Sequence, residues 1–393
     1  MQKEGFDFMA RYMCRVCGPA STTMGAVIPK VCPLCGRSEY FREIHMDNKQ
    51  VVPDYWREHL EEKIARIRKL QTQAGWDGAS FGAITDIHVV TNAWHSPALM
   101  EEVLRRCCVP YFFNAGDTIS GAGHCIPEDL WLDIDDFREA FAPIESRCLM
   151  VEGNHDPAYS TVEGPNTGYR QSVPQAEFNE HFFRMETLYP NRTFGPGGGY
   201  YFADDVVHKM RYIVLNSHDA PNDDVQENGL AVYSKFHTFE YRQEQLNWFA
   251  NVALDVPDPE WTVTLCTHEN PVSSDDCIAC STPLILGIIN AFRNHTSYAG
   301  SCEHADPAFN ASVSVDYTGR GGNFTAWISG HTHLDLFCQP EGVNCLSIAG
   351  DTRDRAKFGT IHEQAFDVFT VNKKERKIYI TRIGEGEDRV IDY

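Results

Sequence analysis

Six short apolar runs, each followed at once by polar residues, constrain the fold of this chain more than any other feature. They cover 81–84, 111–113, 148–151, 212–215, 262–266 and 324–328. Each run is bounded and rich in β-branched or aromatic side chains, which is typical of a buried strand. Amphipathic stretches such as 98–106 and 240–254 lie between several of them. Because strands alternate with helices, the sequence predicts an α/β domain.

Chemically active side chains stand directly after five of these runs. The segments are Asp86-Ile87-His88, Gly116-Asp117, Gly153-Asn154-His155-Asp156, His268 and Gly330-His331-Thr332-His333. In open α/β sheets, ligands bind beyond the carboxyl ends of the strands, so we expect these segments on one rim. Imidazole together with carboxylate suits Zn, Fe, Mn or Ni, whereas calcium and magnesium prefer sites made of oxygen alone.

The number of these side chains indicates two metal ions. Residues at i and i+2 beyond a strand end can reach one ion together, which fits the Asp-x-His and His-x-His spacings. Seven ligands are too many for one ion and suit two ions that share a carboxylate. Two metals roughly 3.5–4 Å apart form a clamp that serves the hydrolysis of phosphate esters. Each segment alone is a weak indication, but their occurrence together and in order is specific.

The five segments resemble the motif series of the calcineurin-like metallophosphoesterases, over about residues 80–393. In that family the series is Asp-x-His, Gly-Asp, Gly-Asn-His-Asp/Glu, a lone His and Gly-His-x-His. The resemblance implies a β-sandwich flanked by helices, with a dinuclear site of Mn, Fe or Zn at the edge of the sheets. It therefore implies a phosphatase or phosphodiesterase.

The resemblance also implies how the metal ligands divide. The first metal would be held by Asp86, His88 and His333. The second would be held by Asn154, His268 and His331, with Asp117 as the bridge between the two. Many members carry an acidic or amide residue three positions after the Gly-Asp aspartate. Ser120 stands there in this chain, so that helper is either absent or replaced by Ser120.

A mechanism follows from this arrangement of charge. Two bound metals lower the pKa of a bridging water, so that hydroxide is present near neutral pH. We expect direct attack by this water, without a covalent phosphoenzyme. The resemblance places His155 against the leaving group, where it would stabilise or protonate the departing oxygen, and Asp156 would orient His155.

Two further groups of cysteines carry metal-site spacing. Cys14-x-x-Cys17-Gly and Cys32-x-x-Cys35-Gly resemble a zinc ribbon that closes around one structural zinc ion. The ribbon is expected to support folding or to dock a protein partner. The remaining group is Cys277, Cys280, Cys302 and His304. Its members are either a further metal site or ordinary loop residues, and the second reading is favoured.

The chain therefore divides into three parts. We expect a zinc-ribbon-like module over 1–45, a linker helix within 46–77 and a metallophosphoesterase domain over 78–393. The helix starts after Pro53-Asp54 and ends near Gly75. Two stretches that lack periodicity, 157–211 and 270–323, are predicted insertions that cover the site. Covering loops favour a small or flexible phosphoester as the substrate.

Charge and targeting patterns restrict the partners. Lys and Arg total 34 against 55 Asp and Glu, so the formal net charge is −21. Such a surface repels a polyphosphate backbone and disfavours nucleic acid as a partner. No apolar run reaches the length of a membrane helix, and the first thirty residues lack a secretory pattern, which predicts a cytoplasmic protein. Two alternatives remain: a nuclease acting on single strands or ends, and a structural docking component that uses the same fold.

Overall fold

The structure is a computed structural model. It describes residues 10–14, 23–25, 30–31, 41–44, 51–89, 95–121, 128–160, 170–183, 191–221, 231–272 and 279–393. Cys17, Cys32 and Cys35 lie outside these residues, so the predicted zinc ribbon and its structural zinc stay predictions. Among the described residues, no helix combines the length and the apolar character needed to cross a membrane.

The described residues form twenty strands and six α-helices. The strands of the first half are β1 (Ala10–Cys14), β2 (Thr23–Gly25), β3 (Phe41–Ile44), β4 (Ala79–Ile84), β5 (Phe112–Asn114), β6 (Cys148–Met150), β7 (Ala158–Ser160), β8 (Arg170–Ser172), β9 (Arg192–Phe194) and β10 (Tyr201–Asp205). Those of the second half are β11 (Met210–Val214), β12 (Thr262–Cys266), β13 (Ser297–Cys302), β14 (Ala311–Asp316), β15 (Asn323–Ser329), β16 (Leu336–Cys338), β17 (Cys345–Ser347), β18 (Ala365–Asn372), β19 (Lys377–Gly384) and β20 (Arg389–Asp392). The helices are α1 (Arg57–Ala74), α2 (Ser96–Arg106), α3 (Glu128–Phe141), α4 (Gln175–Phe182), α5 (Gln243–Trp248) and α6 (Thr282–Asn294), and a π-helical turn (Phe249–Ala253) continues α5.

Two mixed sheets build the body of the domain. One has seven strands in the order β16-β17-β15-β12-β11-β10-β9, and the other has six in the order β20-β19-β18-β4-β5-β6. In the first sheet β11, β12, β15 and β17 run parallel to one another. In the second, β4, β5 and β6 run parallel. Each of the six apolar runs overlaps one of these parallel strands, and three of the runs extend one residue beyond it, because strands buried on both faces carry continuous apolar residues.

The two sheets face each other across one core. Phe81 of β4 stacks on Phe369 of β18 with ring centroids 4.8 Å apart, within the six-stranded sheet. Across the core, its ring centroid lies 5.4 Å from that of Tyr212 on β11 of the other sheet. All three side chains are buried. The fold is therefore a mixed α/β sandwich with helices, as the sequence predicts.

Helix α1 packs along the six-stranded sheet by an apolar stripe. Leu60, Ile64 and Ile67 follow one another at helical spacing, and all are buried. Trp56 precedes the helix, and its indole Nε1 donates to Glu363 Oε1 at 2.8 Å. Gly75 follows the last turn with φ 76°, which only glycine adopts without strain, and the helix ends there as predicted.

The two stretches expected to be covering insertions contain more regular structure than their composition indicates. The described part of 157–211 includes β8, α4, β9 and β10, and β10 pairs with β11 inside the larger sheet. The described part of 270–323 includes α6, β13 and β14. Strands β8 and β9 have only three residues each, too few to produce a detectable period, but α6, β13 and β14 are longer and were missed although their length allows a pattern.

Candidate metal centre

The predicted site residues follow parallel strands of both sheets. Asp86 and His88 come after β4, and Asp117 comes after β5. Asn154 follows β6, and the remaining histidines follow β12 and β15 of the other sheet. Because parallel strands share their carboxyl ends, one edge of the sandwich receives residues from both sheets.

The first group at this edge consists of Asp86, His88 and His333, whose donor atoms lie within 4.8 Å of one another. The Nε2 atoms of His88 and His333 face each other at 3.4 Å. Asp86 Oδ1 lies 3.2 Å from His333 Nε2. The other oxygen, Asp86 Oδ2, accepts hydrogen bonds from Thr85 Oγ1 at 2.9 Å and from the backbone N–H of His331 at 3.0 Å. Asp86 is thus fixed through one oxygen and presents the other to the imidazoles.

The second group consists of Asp117, His268 and His331, with donor atoms again within 4.8 Å of one another. Asn154 joins it, because its Oδ1 lies 3.2 Å from both His268 Nε2 and His331 Nδ1. Asp117 Oδ2 lies 3.3 Å from His268 Nε2 and 3.9 Å from His88 Nε2 of the first group. The Asp117 carboxylate therefore stands between the two groups.

The residues present fit metal ions on the chemistry of their facing atoms. His268 Nδ1 lies 2.8 Å from the carbonyl oxygen of Ala115, which orients its N–H there and leaves a lone pair on Nε2. That lone pair faces two oxygens, Asn154 Oδ1 and Asp117 Oδ2. Lone pairs facing each other in a buried site require a cation between them. Asp86 Oδ1 is likewise buried without a hydrogen bond to the described residues.

Electrostatics indicate the same demand for positive charge. Burial alone would lower the pKa of His268, but Asp117 and Glu269 raise it well above its ordinary value, so without a metal ion a proton on Nε2 supplies the positive charge between these atoms. Burial alone would raise the pKa of Asp117, but His268 and His155 hold it well below its ordinary value. The carboxylate is therefore anionic, and the cage around it attracts cations.

The backbone at the site is strained where the ligands stand. Ten non-glycine residues of the described chain have positive φ, and half of them belong to the two groups. These are Asp86 (49°), His88 (45°), Asp117 (51°), His331 (67°) and His333 (56°). Such conformations persist only when the surroundings impose them, and they cluster at functional sites. The tight turns aim consecutive side chains into one small volume.

His155 lies at the open side of the centre. Its Nε2 is 3.9 Å from Asp117 Oδ2, and its side chain is 29% exposed. Its backbone N–H donates to Asp117 Oδ1 at 2.9 Å. Burial lowers the pKa of His155 to about 4, although Asp117 opposes the shift. His155 is therefore placed beside the bridging carboxylate and within reach of solvent.

Asp156 is fully buried beneath the centre. Its carboxylate accepts the backbone N–H of Gly153 at 2.8 Å and that of Ile119 at 3.1 Å. Burial and the nearby Asp117 raise the pKa of Asp156 well above its ordinary value. These hydrogen bonds join the loops after β5 and β6. The expectation that Asp156 orients the imidazole of His155 stays a prediction.

Ser120 stands three positions after Asp117, where many family members carry an acidic or amide residue. Its hydroxyl lies 3.2 Å from His88 Nδ1, so His88 is held on one side while Nε2 faces the first group. A partner on the second ring nitrogen fixes the orientation of a ligating histidine. Whether Ser120 replaces the acidic or amide helper stays a prediction.

Sequence reasoning missed the segment 231–240, which we call the aromatic segment. The ring of Phe236 lies 4.9 Å from that of His155, and the ring of Phe239 lies 5.8 Å from that of His331. Lys235 is fully buried and pairs with the fully buried Glu152, two residues before Asn154. Two phenylalanines in a polar stretch without periodicity were the available indication, but the segment lies outside both expected insertions.

The other candidate metal site has no comparable geometry among the described residues. Cys277 lies outside them. Cys280 Sγ lies 3.6 Å from the carbonyl oxygen of Glu303, and Cys302 Sγ lies 4.0 Å from that of Phe309. In the described part of the chain, these residues and His304 do not form a group like the two at the sheet edge.

The sequence matches the family model of the calcineurin-like phosphoesterases over residues 79–335, and the chain belongs to this family. Family membership supports a general phosphoester hydrolase. A search of curated proteins finds no match to the sequence.

Solved structures with some similarity to the chain were also found. One is the phosphopantetheinyl hydrolase of Mycobacterium tuberculosis, with 13% identity, 70% of this chain and 91% of that chain covered, and a TM-score of 0.32. Another is a putative 5′-nucleotidase from Staphylococcus aureus, with 11% identity and a TM-score of 0.39. The match covers 80% of this chain and 54% of that chain. A third is GAP50 of Plasmodium, the anchor in the inner membrane complex, with 11% identity and a TM-score of 0.41. The match covers 80% of this chain and 88% of that chain.

Proposed function

We propose that this protein is a dinuclear metal-dependent phosphoesterase that cleaves a small phosphomonoester or phosphodiester. The observation that carries the proposal is the meeting of two donor groups at one sheet edge, with Asp117 between them. Family membership supports the same chemistry. Imidazole and carboxylate donors together favour Mn, Fe or Zn over calcium and magnesium.

The ligands divide as the facing atoms indicate. The first ion would be held by Asp86, His88 and His333. The second would be held by Asn154, His268 and His331, and Asp117 would bind both. When bound, the two ions would acidify a water molecule and neutralise charge on the phosphoryl oxygens.

The protein's own residues supply position and proton handling. His155 stands beside Asp117 on the exposed side, where it can stabilise or protonate the departing oxygen. Asp156 joins the loops that carry Asp117 and Asn154, so we assign it a positioning role. Solvent oxygen would then enter the product directly, without a phosphoenzyme. Hydrolysis in ¹⁸O-water should label the phosphate product, and an isolable phosphohistidine would contradict this route.

The aromatic segment supports a small substrate. Phe236 lies against His155, the residue proposed to face the leaving group, and Phe239 lies against His331. Two rings beside the centre leave less room for a duplex than for one ester group. The net charge of −21 also opposes a polyanionic substrate.

The first experiment compares hydrolysis of bis(p-nitrophenyl) phosphate and p-nitrophenyl phosphate with added Mn²⁺. Asp117→Asn should reduce kcat/KM by at least about 100-fold, because a charge contact worth several kcal/mol is removed. The matched control is Asp316→Asn in the exposed hairpin β13–β14, which should retain activity. The preferred ester gives the substrate class. Absence of turnover with Mn²⁺ bound would favour the docking alternative.

A further inference from the structure

Glu269 is a buried carboxylate next to the second donor group and has no place in the ligand set above. It directly follows His268 and is 2% exposed. Its Oε2 accepts a hydrogen bond from Ser217 Oγ at 2.5 Å and lies 2.9 Å from Nε2 of the fully buried His218. One oxygen of Glu269 is therefore held by a hydrogen bond from Ser217 and lies at ion-pair distance from His218, both in the loop after β11.

The other oxygen is not satisfied in this way. Glu269 Oε1 is buried and makes no hydrogen bond to the described residues. It lies 3.4 Å from His331 Nδ1, the same nitrogen that lies 3.2 Å from Asn154 Oδ1. A neutral imidazole nitrogen carries at most one hydrogen, which cannot serve two oxygens well. A cation between these atoms satisfies all of them.

Asp86 shows the same arrangement in the first group. Its Oδ2 is fixed by Thr85 and the backbone of His331, while its buried Oδ1 lies 3.2 Å from an imidazole nitrogen without a hydrogen bond. Glu269 repeats this in the second group, with Ser217 and His218 as the fixing residues. Each of the two carboxylates has one oxygen held by its neighbours and one buried oxygen that faces an imidazole nitrogen. Both are therefore suited to bind a metal ion.

We propose that Glu269 Oε1 is a further ligand of the second metal ion, and that Ser217 and His218 are positioning residues that hold it. The inference rests on the dinuclear centre proposed above and extends its ligand set. A further carboxylate strengthens the hold on the second ion and favours a hard cation such as Mn²⁺ over softer ones.

The test measures binding of Mn²⁺ alone by isothermal titration calorimetry on the metal-depleted full chain. The wild type should bind two ions. Glu269→Gln should keep one affinity and lose about 10- to 100-fold or more in the other. Glu244→Gln is the matched control on an exposed helix position and should bind as the wild type does. Unchanged affinities in Glu269→Gln would overturn the inference and leave the dinuclear centre standing.

Two further measurements test whether the loss of Mn²⁺ affinity in Glu269→Gln comes from misfolding or from an indirect effect on the other ligands. Ser217→Ala leaves Glu269 in place but removes one of its fixing contacts, so a smaller loss in the same affinity is expected. A crystal structure of the Mn²⁺-loaded wild type should place Oε1 about 2.0–2.3 Å from the second ion. An Oε1 atom that contacts only water or His331 would overturn the inference. A wild type that binds fewer than two ions would overturn the dinuclear centre itself.

Discussion

Asp117 lies between the two donor groups, and its backbone is strained at this position. Its φ of 51° is imposed by the turn after Gly116, and its Oδ2 faces histidines that follow strands of both sheets. The backbone of Gly153 packs directly against Asp117. A Cβ at position 153 would stand 2.2 Å from Asp117 N and 2.3 Å from Asp117 Oδ1. The glycine is therefore required by close approach.

We expect Gly153→Ala to damage metal binding as well as folding. The new methyl group must displace the Asp117 turn, at a cost of about 1–3 kcal/mol in the free energy of unfolding. Because the displaced carboxylate faces both groups, Mn²⁺ affinity should fall at both sites. Urea denaturation of the metal-depleted protein and Mn²⁺ titration measure the two effects.

Gly319→Ala separates these effects. Gly319 has φ 76° in a turn where a Cβ would meet nothing within 4 Å. Strain alone should cost about 1 kcal/mol in the free energy of unfolding, with Mn²⁺ affinity unchanged. Equal Mn²⁺ affinity in Gly153→Ala and the wild type would show that the Asp117 turn tolerates displacement.

At the scale of elements, the aromatic segment is attached to the sheet by a buried ion pair. Lys235 Nζ contacts Glu152 Oε1 and Gln175 Oε1. Asn216 Nδ2 donates to the second oxygen, Glu152 Oε2, at 3.1 Å. The pair thus joins the segment to the loop after β6, to α4 and to the loop after β11. Glu152 stands two residues before Asn154, so the attachment point lies next to the candidate metal centre.

Lys235→Met should be strongly destabilising. It leaves the carboxylate of Glu152 buried without a cation, which typically costs about 3–5 kcal/mol in the free energy of unfolding. Lys209→Met is the matched control, because Lys209 pairs with Asp258 and Glu260 at the surface, and no measurable loss is expected. Urea denaturation of both variants is the measurement. Similar losses in the two would contradict a structural role for the buried pair.

The sequence predicts elements where long or repeated patterns exist. Strand β12 matches the predicted run residue for residue, and α1 ends at Gly75 as expected. The aromatic segment was missed because only tertiary contacts place Phe236 beside His155. A local sequence pattern indicates which residues follow a strand. Contacts between residues that are far apart in the sequence leave no such pattern.

At the scale of the whole molecule, a second network joins the two sheets behind the centre. Asp335, just before β16 of the larger sheet, lies 2.6 Å from Arg382 Nη2 on β19 and 2.5 Å from Arg389 Nη1 on β20. Both arginines also bind Asp367 on β18. Asp335 is two residues after His333. The position of the first donor group is therefore coupled to the packing of the six-stranded sheet.

This network makes a prediction about pH. Burial alone would raise the pKa of Asp367, but Arg382 and Arg389 lower it below its ordinary value. A lowered pKa in the folded state gives stability that is present above the unfolded pKa of about 3.9 and is lost as the pH falls through the folded value.

Asp367→Asn should therefore cost about 3–5 kcal/mol in the free energy of unfolding at pH 7, because a buried ion pair is broken. The difference from the wild type should persist at pH 5 and narrow from about pH 4 downward, since Asp367 of the unfolded wild-type chain then takes up a proton while the folded carboxyl is still ionised. Urea denaturation at pH 7, 5 and 3.5 measures this. Asp392→Asn, at a carboxylate 83% exposed and 3.8 Å from Lys377, should show almost no loss at any of these values. A loss in Asp367→Asn that stays constant down to pH 3.5 would mean that packing, rather than the charge of Asp367, holds the two sheets in register at the metal centre.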